Sequence, residues 1–256
     1  MPDTVDTLNA LLAGPLARQP GATALIERHP DTGAERHVSR QQLDDLVARA
    51  AAWLQGQGVV AGDTVALWLV NRLDWLVLHL ALARLGAAVM TVNTRYRGPE
   101  VAYLLQRSAP RLLVLQLHFR QIDFAAVLAD VDPASASSVQ RVVAVDAGAD
   151  GAPGALPLPA AVLGKPVLRF DLHSLPAAPA ARAVPGAAAD ARAILFTTSG
   201  TTSGPKLVVH TQRTVCTHVQ HIAHAMGYTA DGVVLLAALP FAGTFGYVSM
   251  LAALAA

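Results

Sequence analysis

Short, uninterrupted apolar runs separated by stretches with helical spacing constrain this chain more than any other feature of it. Thr64-Val65-Ala66-Leu67-Trp68-Leu69-Val70 carries no alternating polar face. It therefore reads as a strand buried on both sides. A helix is predicted from about Leu73 to Leu85, stopped by Gly86. Ala88-Val89-Met90-Thr91-Val92 is a second buried strand, and Pro99 with Glu100 opens another helix, proline in its first turn and an acid near its positive end. Arg111 to Leu115 and Val139 to Val145 supply further strands. Upstream, Ala24 to Arg28 and Glu35 to Val38 flank His29-Pro30-Asp31-Thr32-Gly33 and read as a hairpin. Ser39 and Gln42 form a capping box ahead of Leu43, Leu46, Val47, Ala50 and Leu54 at helical spacing. This rhythm predicts an α/β fold, with mostly parallel sheets flanked by helices.

The rhythm breaks between Ala147 and Asp190, where Ala, Pro and Gly crowd the sequence. That stretch reads as an irregular connection holding one short strand, Pro166 to Phe170, and a second sheet region is expected from about Ala193. The division expected is a first α/β subdomain over 1–190 and the beginning of a second over 191–256. No charged residue occurs from Gly232 to Ala256, a span long enough to cross a bilayer. Pro240, Gly243 and Gly246 would break such a helix. The better reading is a buried strand from Val233 to Leu239, a tight loop and a buried helix, with no integral membrane segment. The apolar stretch Tyr247 to Ala256 has neither a capping glycine nor a polar tail, which leads us to expect a piece of a longer protein.

With 53% hydrophobic and 14% charged residues the chain has the composition of a folded core. A formal net charge of +1 gives no electrostatic reason to expect a nucleic-acid partner. The single cysteine, Cys216, fits a reducing compartment, the cytoplasm, and reads as an inert buried thiol. Met1 to Asp6 has two acids and no basic flank, unlike a secretory signal.

The chemistry concentrates between two strands, Ile194-Leu195-Phe196-Thr197 and Leu207-Val208-Val209-His210-Thr211. Thr198, Ser199, Gly200, Thr201, Thr202, Ser203, Gly204, Pro205 and Lys206 lie between them. Glycine lets a backbone expose its N–H groups to an anion, short hydroxyls donate to phosphate oxygens, and lysine adds a mobile positive charge. The spacing is not that of the Walker loop, because Gly200 and Gly204 are too close and Pro205 precedes Lys206. From composition alone, a polyphosphate cradle and a ligand-free hairpin turn both remain open.

The order of residues resembles the phosphate loop of the adenylate-forming superfamily, whose usual form is Thr-Ser-Gly-Thr-Thr-Gly-x-Pro-Lys-Gly-Val. Thr198, Ser199, Gly200, Thr201, Thr202, Pro205, Lys206 and Val208 match; Ser203 and Leu207 stand where glycine is usual. Thr211 matches a downstream Thr-His pair, with Gln212 in the histidine position. Gly62-Asp63-Thr64-Val65-Ala66-Leu67 and Asn93-Thr94-Arg95-Tyr96-Arg97-Gly98-Pro99-Glu100 look like further family segments, the latter pointing to the acyl-CoA synthetase branch. Leu239-Pro240-Phe241-Ala242-Gly243-Thr244-Phe245-Gly246 is similar to the family's Pro-x-x-His-x-x-Gly loop beside the acyl pocket, with Gly243 replacing histidine.

The resemblance implies the N-terminal part of an acetyl-CoA synthetase-like fold. It also implies ATP-dependent, Mg²⁺-assisted activation of a carboxylic acid to an acyl-adenylate, then transfer to coenzyme A. Thr198, Ser199, Gly200, Thr201, Thr202 and Lys206 would bind ATP phosphates. Gly243, Phe245 and Gly246 would line an acyl or pantetheine channel, roomy enough for a fatty or otherwise apolar acid. Gly243 could instead merely permit a tight turn. The catalytic residues of the family would lie beyond Ala256, so the chain alone is expected to be inactive. An adenylation domain that loads a carrier protein, or a non-catalytic nucleotide- or acyl-binding fragment, are the alternatives. The partners implied are the acid, ATP and coenzyme A, with a homodimer compatible. No metal site is expected: His218, His221 and His224 recur every three residues without a fourth ligand nearby. Trp53, Trp68 and Trp75 read as core.

Overall fold

The computed structural model describes residues 5–29, 32–119, 122–145, 158–177, 187–198 and 206–256. Helix α1 (Leu8–Arg18) precedes the hairpin β1 (Thr23–Arg28) and β2 (Glu35–Ser39), then helix α2 (Arg40–Gly56). Strand and helix alternate from β3 (Thr64–Trp68) through α3 (Leu73–Leu85), β4 (Ala88–Thr91) and α4 (Gly98–Ser108) to β5 (Leu112–Leu115). A two-residue ribbon, β6 (His118–Phe119) and β7 (Ile122–Asp123), leads to α5 (Phe124–Ala129), a short 3-10 turn and β8 (Arg141–Val145). The strands β9 (Ala161–Val162), β10 (Lys165–Phe170), β11 (Arg192–Thr198) and β12 (Lys206–Thr211) follow, with helices α6 (Gln212–Ala225) and α7 (Thr244–Ala255) last.

One eight-stranded sheet organises the molecule, in the order β12-β11-β4-β3-β5-β8-β10-β9. From β11 to β10 every neighbouring pair is parallel; β12 on one edge and β9 on the other run antiparallel. The second sheet expected from Ala193 is therefore not separate: β11 and β12 extend the first sheet beyond β4. The apolar runs are continuous because both faces are covered. Val65, Leu67, Leu112, Val114 and Ile194 point into a core shared with α1, α2, α3, α6 and α7. Their neighbours Ala66, Trp68, Leu113, Leu115 and Leu195 point into a second core under α4 and α5.

Local chemistry fixes the element ends. The capping box of α2 forms as predicted: the Gln42 backbone N–H donates to Ser39 Oγ at 3.1 Å, and the Ser39 N–H donates to Gln42 Oε1 at 2.8 Å. Helix α3 begins where Glu27 Oε1, 46 residues upstream, accepts from the Leu73 N–H at 2.9 Å. It ends at Gly86 in the left-handed region, φ 74°. Trp68 and Trp75 are fully buried and Trp53 packs half-buried against Phe170. The Cys216 thiol is buried, and its pKa is pushed up to about 12, first by burial and then by the charge of Asp6.

Two elements differ from the sequence reading. Helix α1 has no counterpart there, because Gly14 and Pro15 obscure its pattern; Thr7 Oγ1 nonetheless caps it by accepting from the Ala10 N–H at 3.3 Å. The strand expected at Val233 to Leu239 does not form. This stretch joins none of the three sheets, and Val234 and Leu236 are 80% and 85% exposed. An unbroken apolar run encodes the wish for cover, but a strand also needs a ladder partner. Among the described residues none is offered to it.

Gln212, which opens α6, is fully buried and joins three helices. Its Oε1 accepts from the Leu8 N–H at 3.0 Å, and its Nε2 donates to Ala83 O at 3.1 Å. Ala83 O keeps a second donor in the Gly86 N–H, whereas the Leu8 amide depends on Gln212. Gln212→Leu should therefore cost about 2 kcal/mol, the penalty for one buried donor left unpaired. Urea unfolding followed by far-UV dichroism reads this, and a change below about 0.5 kcal/mol would show that Gln212 does not anchor α1.

Candidate functional site

The carboxyl ends of β3, β4 and β11 lie side by side, and in parallel α/β sheets this edge is where ligands bind. Three sequence features converge there. The first is the hairpin of β11 and β12, whose last described pair is Thr198 with Lys206. Both residues are exposed, so the hydroxyl and the ammonium stand at the mouth of the connecting loop. Ser199, Gly200, Thr201 and Thr202 lie outside the described residues.

The second feature is the loop after β4. Tyr96 Oη and Thr197 Oγ1 are 2.8 Å apart, a bond that spans 101 positions in sequence. Just below, Thr91 Oγ1 donates to Leu195 O at 3.1 Å. The root of the phosphate-type loop is thus tied to β4 by two hydroxyls. Tyr96 lies within the Asn93-to-Glu100 segment, but nothing in the sequence around it marks it as the tie to β11. Of the arginines beside it, Arg97 turns back onto its own loop, donating to Arg95 O and Tyr96 O at 3.2 Å.

The third feature is the segment leading into α7. Gly243 occupies the N-cap position of that helix in an extended conformation, φ −108°, and a Cβ there would meet only Pro240 O at 3.5 Å. The backbone does not demand glycine at this position, so Gly243 leaves space rather than enabling a turn. Gly246 is the opposite case: it is buried, and a Cβ would fall 2.4 Å from Pro240 O and 2.6 Å from Leu239 O. Phe245 is 67% exposed beside them. Packing joins this segment to the hairpin: Phe196 of β11 stacks edge-on against Tyr247, centroids 5.4 Å apart. No direct contact links Lys206 or Thr198 to Gly243 or Phe245 among the interactions described.

Beneath the edge lies an aromatic cluster of Trp75, His79, Phe241 and Tyr247. Tyr247 Oη and His79 Nε2 are 2.9 Å apart and fully buried. Burial drives the imidazole pKa down to about 3 and the phenol well above its ordinary value. Burial thus favours the neutral form of both rings. The pair is a structural bolt between α3 and α7. Among the described residues no group of three or more His, Cys, Asp and Glu could hold a metal ion. His218, His221 and His224 stand on the exposed side of α6.

Gly246→Ala should lower stability by about 1–3 kcal/mol, as overpacking against fixed backbone does. Gly243→Ala should change stability by less than about 0.5 kcal/mol, so equal melting shifts for the two would contradict the distinction. For His79 the native pKa lies below the unfolded value. Between pH of about 6.5 and 3 the unfolded chain therefore gains a proton that the native chain refuses, and stability falls on acidification. The slope is up to about 1.4 kcal/mol per pH unit. Subtracting the urea-melt pH profile of His79→Gln from that of the wild type isolates this contribution; a flat difference would rule it out.

Comparison with known proteins agrees with this architecture. The chain is 34% identical over 238 residues to 3-[(3aS,4S,7aS)-7a-methyl-1,5-dioxo-octahydro-1H-inden-4-yl]propanoyl:CoA ligase of Mycobacterium tuberculosis, an alignment covering 91% of this chain and 42% of the relative. It superposes on acetoacetyl-CoA synthetase from Streptomyces lividans with a TM-score of 0.76 at 20% identity, over 97% of this chain and 37% of the other. A Mycobacterium tuberculosis fatty acyl CoA synthetase gives 0.66 at 22% identity, over 98% and 43%. The chain thus spans less than half the length of these relatives, and the two structural likenesses bear on the fold. The profile of the AMP-binding enzyme family matches residues 13–256, and the chain belongs to that family.

Proposed function

We propose that this chain supplies the phosphate-holding and acid-binding part of an acyl-CoA synthetase that joins an apolar carboxylic acid to AMP and passes it to coenzyme A. The observation that carries the reading is the β11–β12 hairpin. It sets Thr198 and Lys206 opposite each other at the carboxyl edge of a parallel sheet, with its root held by Tyr96. A carboxylate is a poor electrophile, and exchanging its oxide leaving group for AMP makes thioester formation feasible. Thr198, Ser199, Gly200, Thr201, Thr202 and Lys206 would hold the β- and γ-phosphates while the acid attacks the α-phosphate, a task of positioning and charge neutralisation. Mg²⁺ would enter with ATP as part of that substrate and neutralise the same charge.

Gly243 and Phe245 would border the acyl channel, and Gly246 would let the segment pack closely beneath them. The space left at Gly243 and the exposed Phe245 ring suit an apolar acid. A relative named for a bicyclic propanoyl group fits that size class. Coenzyme A as the thiol acceptor follows the ligases among the relatives.

The test uses an enzyme that carries this sequence, assayed by acid-dependent ATP–pyrophosphate exchange and by thioester formation. Thr201→Ala and Lys206→Ala should each lower kcat/KM for ATP by about 100- to 1,000-fold, the scale for one lost charge-stabilising donor. Unchanged ATP affinity and turnover in both variants would refute the assignment. Thioester formed only on a carrier protein would move the chain to the carrier-loading branch.

A further inference from the structure

Asn71 ties the segment leading into α7 to the carboxyl edge of the sheet. It stands between the end of β3 and the start of α3, at the carboxyl edge of the sheet. Its Nδ2 donates to Ala237 O at 2.9 Å and to Leu239 O at 2.7 Å, while its Oδ1 accepts from the Phe241 N–H at 2.8 Å. One side-chain amide thus engages three backbone groups 166 to 170 positions away. These bonds stand in for a β-ladder, since the segment joins no sheet and its side chains at Val234, Leu236 and Leu239 face outward.

The far end of the segment is fixed as well. Phe241 is buried against Trp75 on α3, with ring centroids 5.4 Å apart. The Gly243 N–H donates to Pro240 O at 3.0 Å, the Tyr247 N–H donates to Gly243 O at 3.0 Å, and Gly246 leaves no free space under the turn. Asn71 itself is held between β3 and the first turn of α3, where Glu27 accepts from the Leu73 N–H. Hydrogen bonds and packing therefore link the sheet edge through Asn71 to Gly243, next to Phe245.

We propose that Asn71 is the positioning residue for acid selectivity: it sets where Gly243 and Phe245 stand relative to the sheet, and so fixes the shape of the acid site without touching the acid. This rests on the acyl-CoA synthetase reading above. The residue type is demanded by the pattern of partners. Two carbonyls require two donors and one N–H requires an acceptor, a combination that only a primary amide of this length supplies here. Aspartate has the same shape and no donor, so it would oppose two carbonyl oxygens with negative charge.

Asn71→Asp is the sharp variant and Asn71→Ala the milder one, should the first fold poorly. Hydrogen exchange on the 256-residue chain reads the clamp directly. The peptide spanning 236–243 should exchange about tenfold faster in both variants while the strands β3 and β5 keep their protection. In the enzyme carrying the sequence, KM for the acid should rise about tenfold and the ranking of acids should change, with KM for ATP within about twofold of wild type. Unaltered exchange over 236–243 overturns the clamp. Equal rises in KM for acid and ATP, or an unchanged ranking of acids, overturn the selectivity role. A wild-type enzyme that adenylates no acid would instead refute the functional reading and the selectivity role with it, while the exchange result still decides whether Asn71 holds the segment.

Discussion

The pairing of β11 with β4 is the constraint on which the carboxyl edge depends. The two strands lie side by side through Ile194 with Val89 and Leu195 with Met90, and the Thr91 hydroxyl extends the contact across 104 positions of sequence. A two-stranded hairpin is marginal by itself, so β11 and β12 need the sheet to hold them. Burial supplies that hold, because Ile194 enters one core and Leu195 the other. Closing so long a connection costs little more than closing one half its length. Once β11 is seated, Thr197 meets Tyr96, Phe196 meets Tyr247, and the three parts of the site acquire fixed relative positions.

The parts of the fold that were legible in sequence are those whose residues record their own surroundings. Strands β3, β4 and β5 are covered on both faces and so carry no polar side; the boundaries of α2 and α3 are written in Ser39, Gln42 and Gly86. The run Val233 to Leu239 misled because hydrophobicity states a demand and not its fulfilment. Helix α1 was obscured by Gly14 and Pro15, residues that the docked helix tolerates in its interior.

At the site the same division holds. The loop from Thr198 to Lys206 could be recognised because its chemistry is local: hydroxyls, glycines and a lysine in order. Asn71 and Tyr96 act on backbone or hydroxyl groups more than a hundred positions away, and nothing in their neighbours announces it. Gly243 and Gly246 look alike in a sequence, yet one has room for a methyl group and the other has none.

The amide of Leu8 is satisfied by Gln212, 204 positions later, and Asp6 pairs with Arg213 next to it. During synthesis at roughly 5–20 residues per second, that partner emerges about 10–40 s after α1. For that interval α1 has α3 to lean on but no match for its buried N–H, and Leu8 and Leu11 have only part of their cover. Helix α1 is thus made before its partner and locked only after it. Until Gln212 arrives, the apolar face of α1 is the kind of transiently exposed surface that chaperones bind.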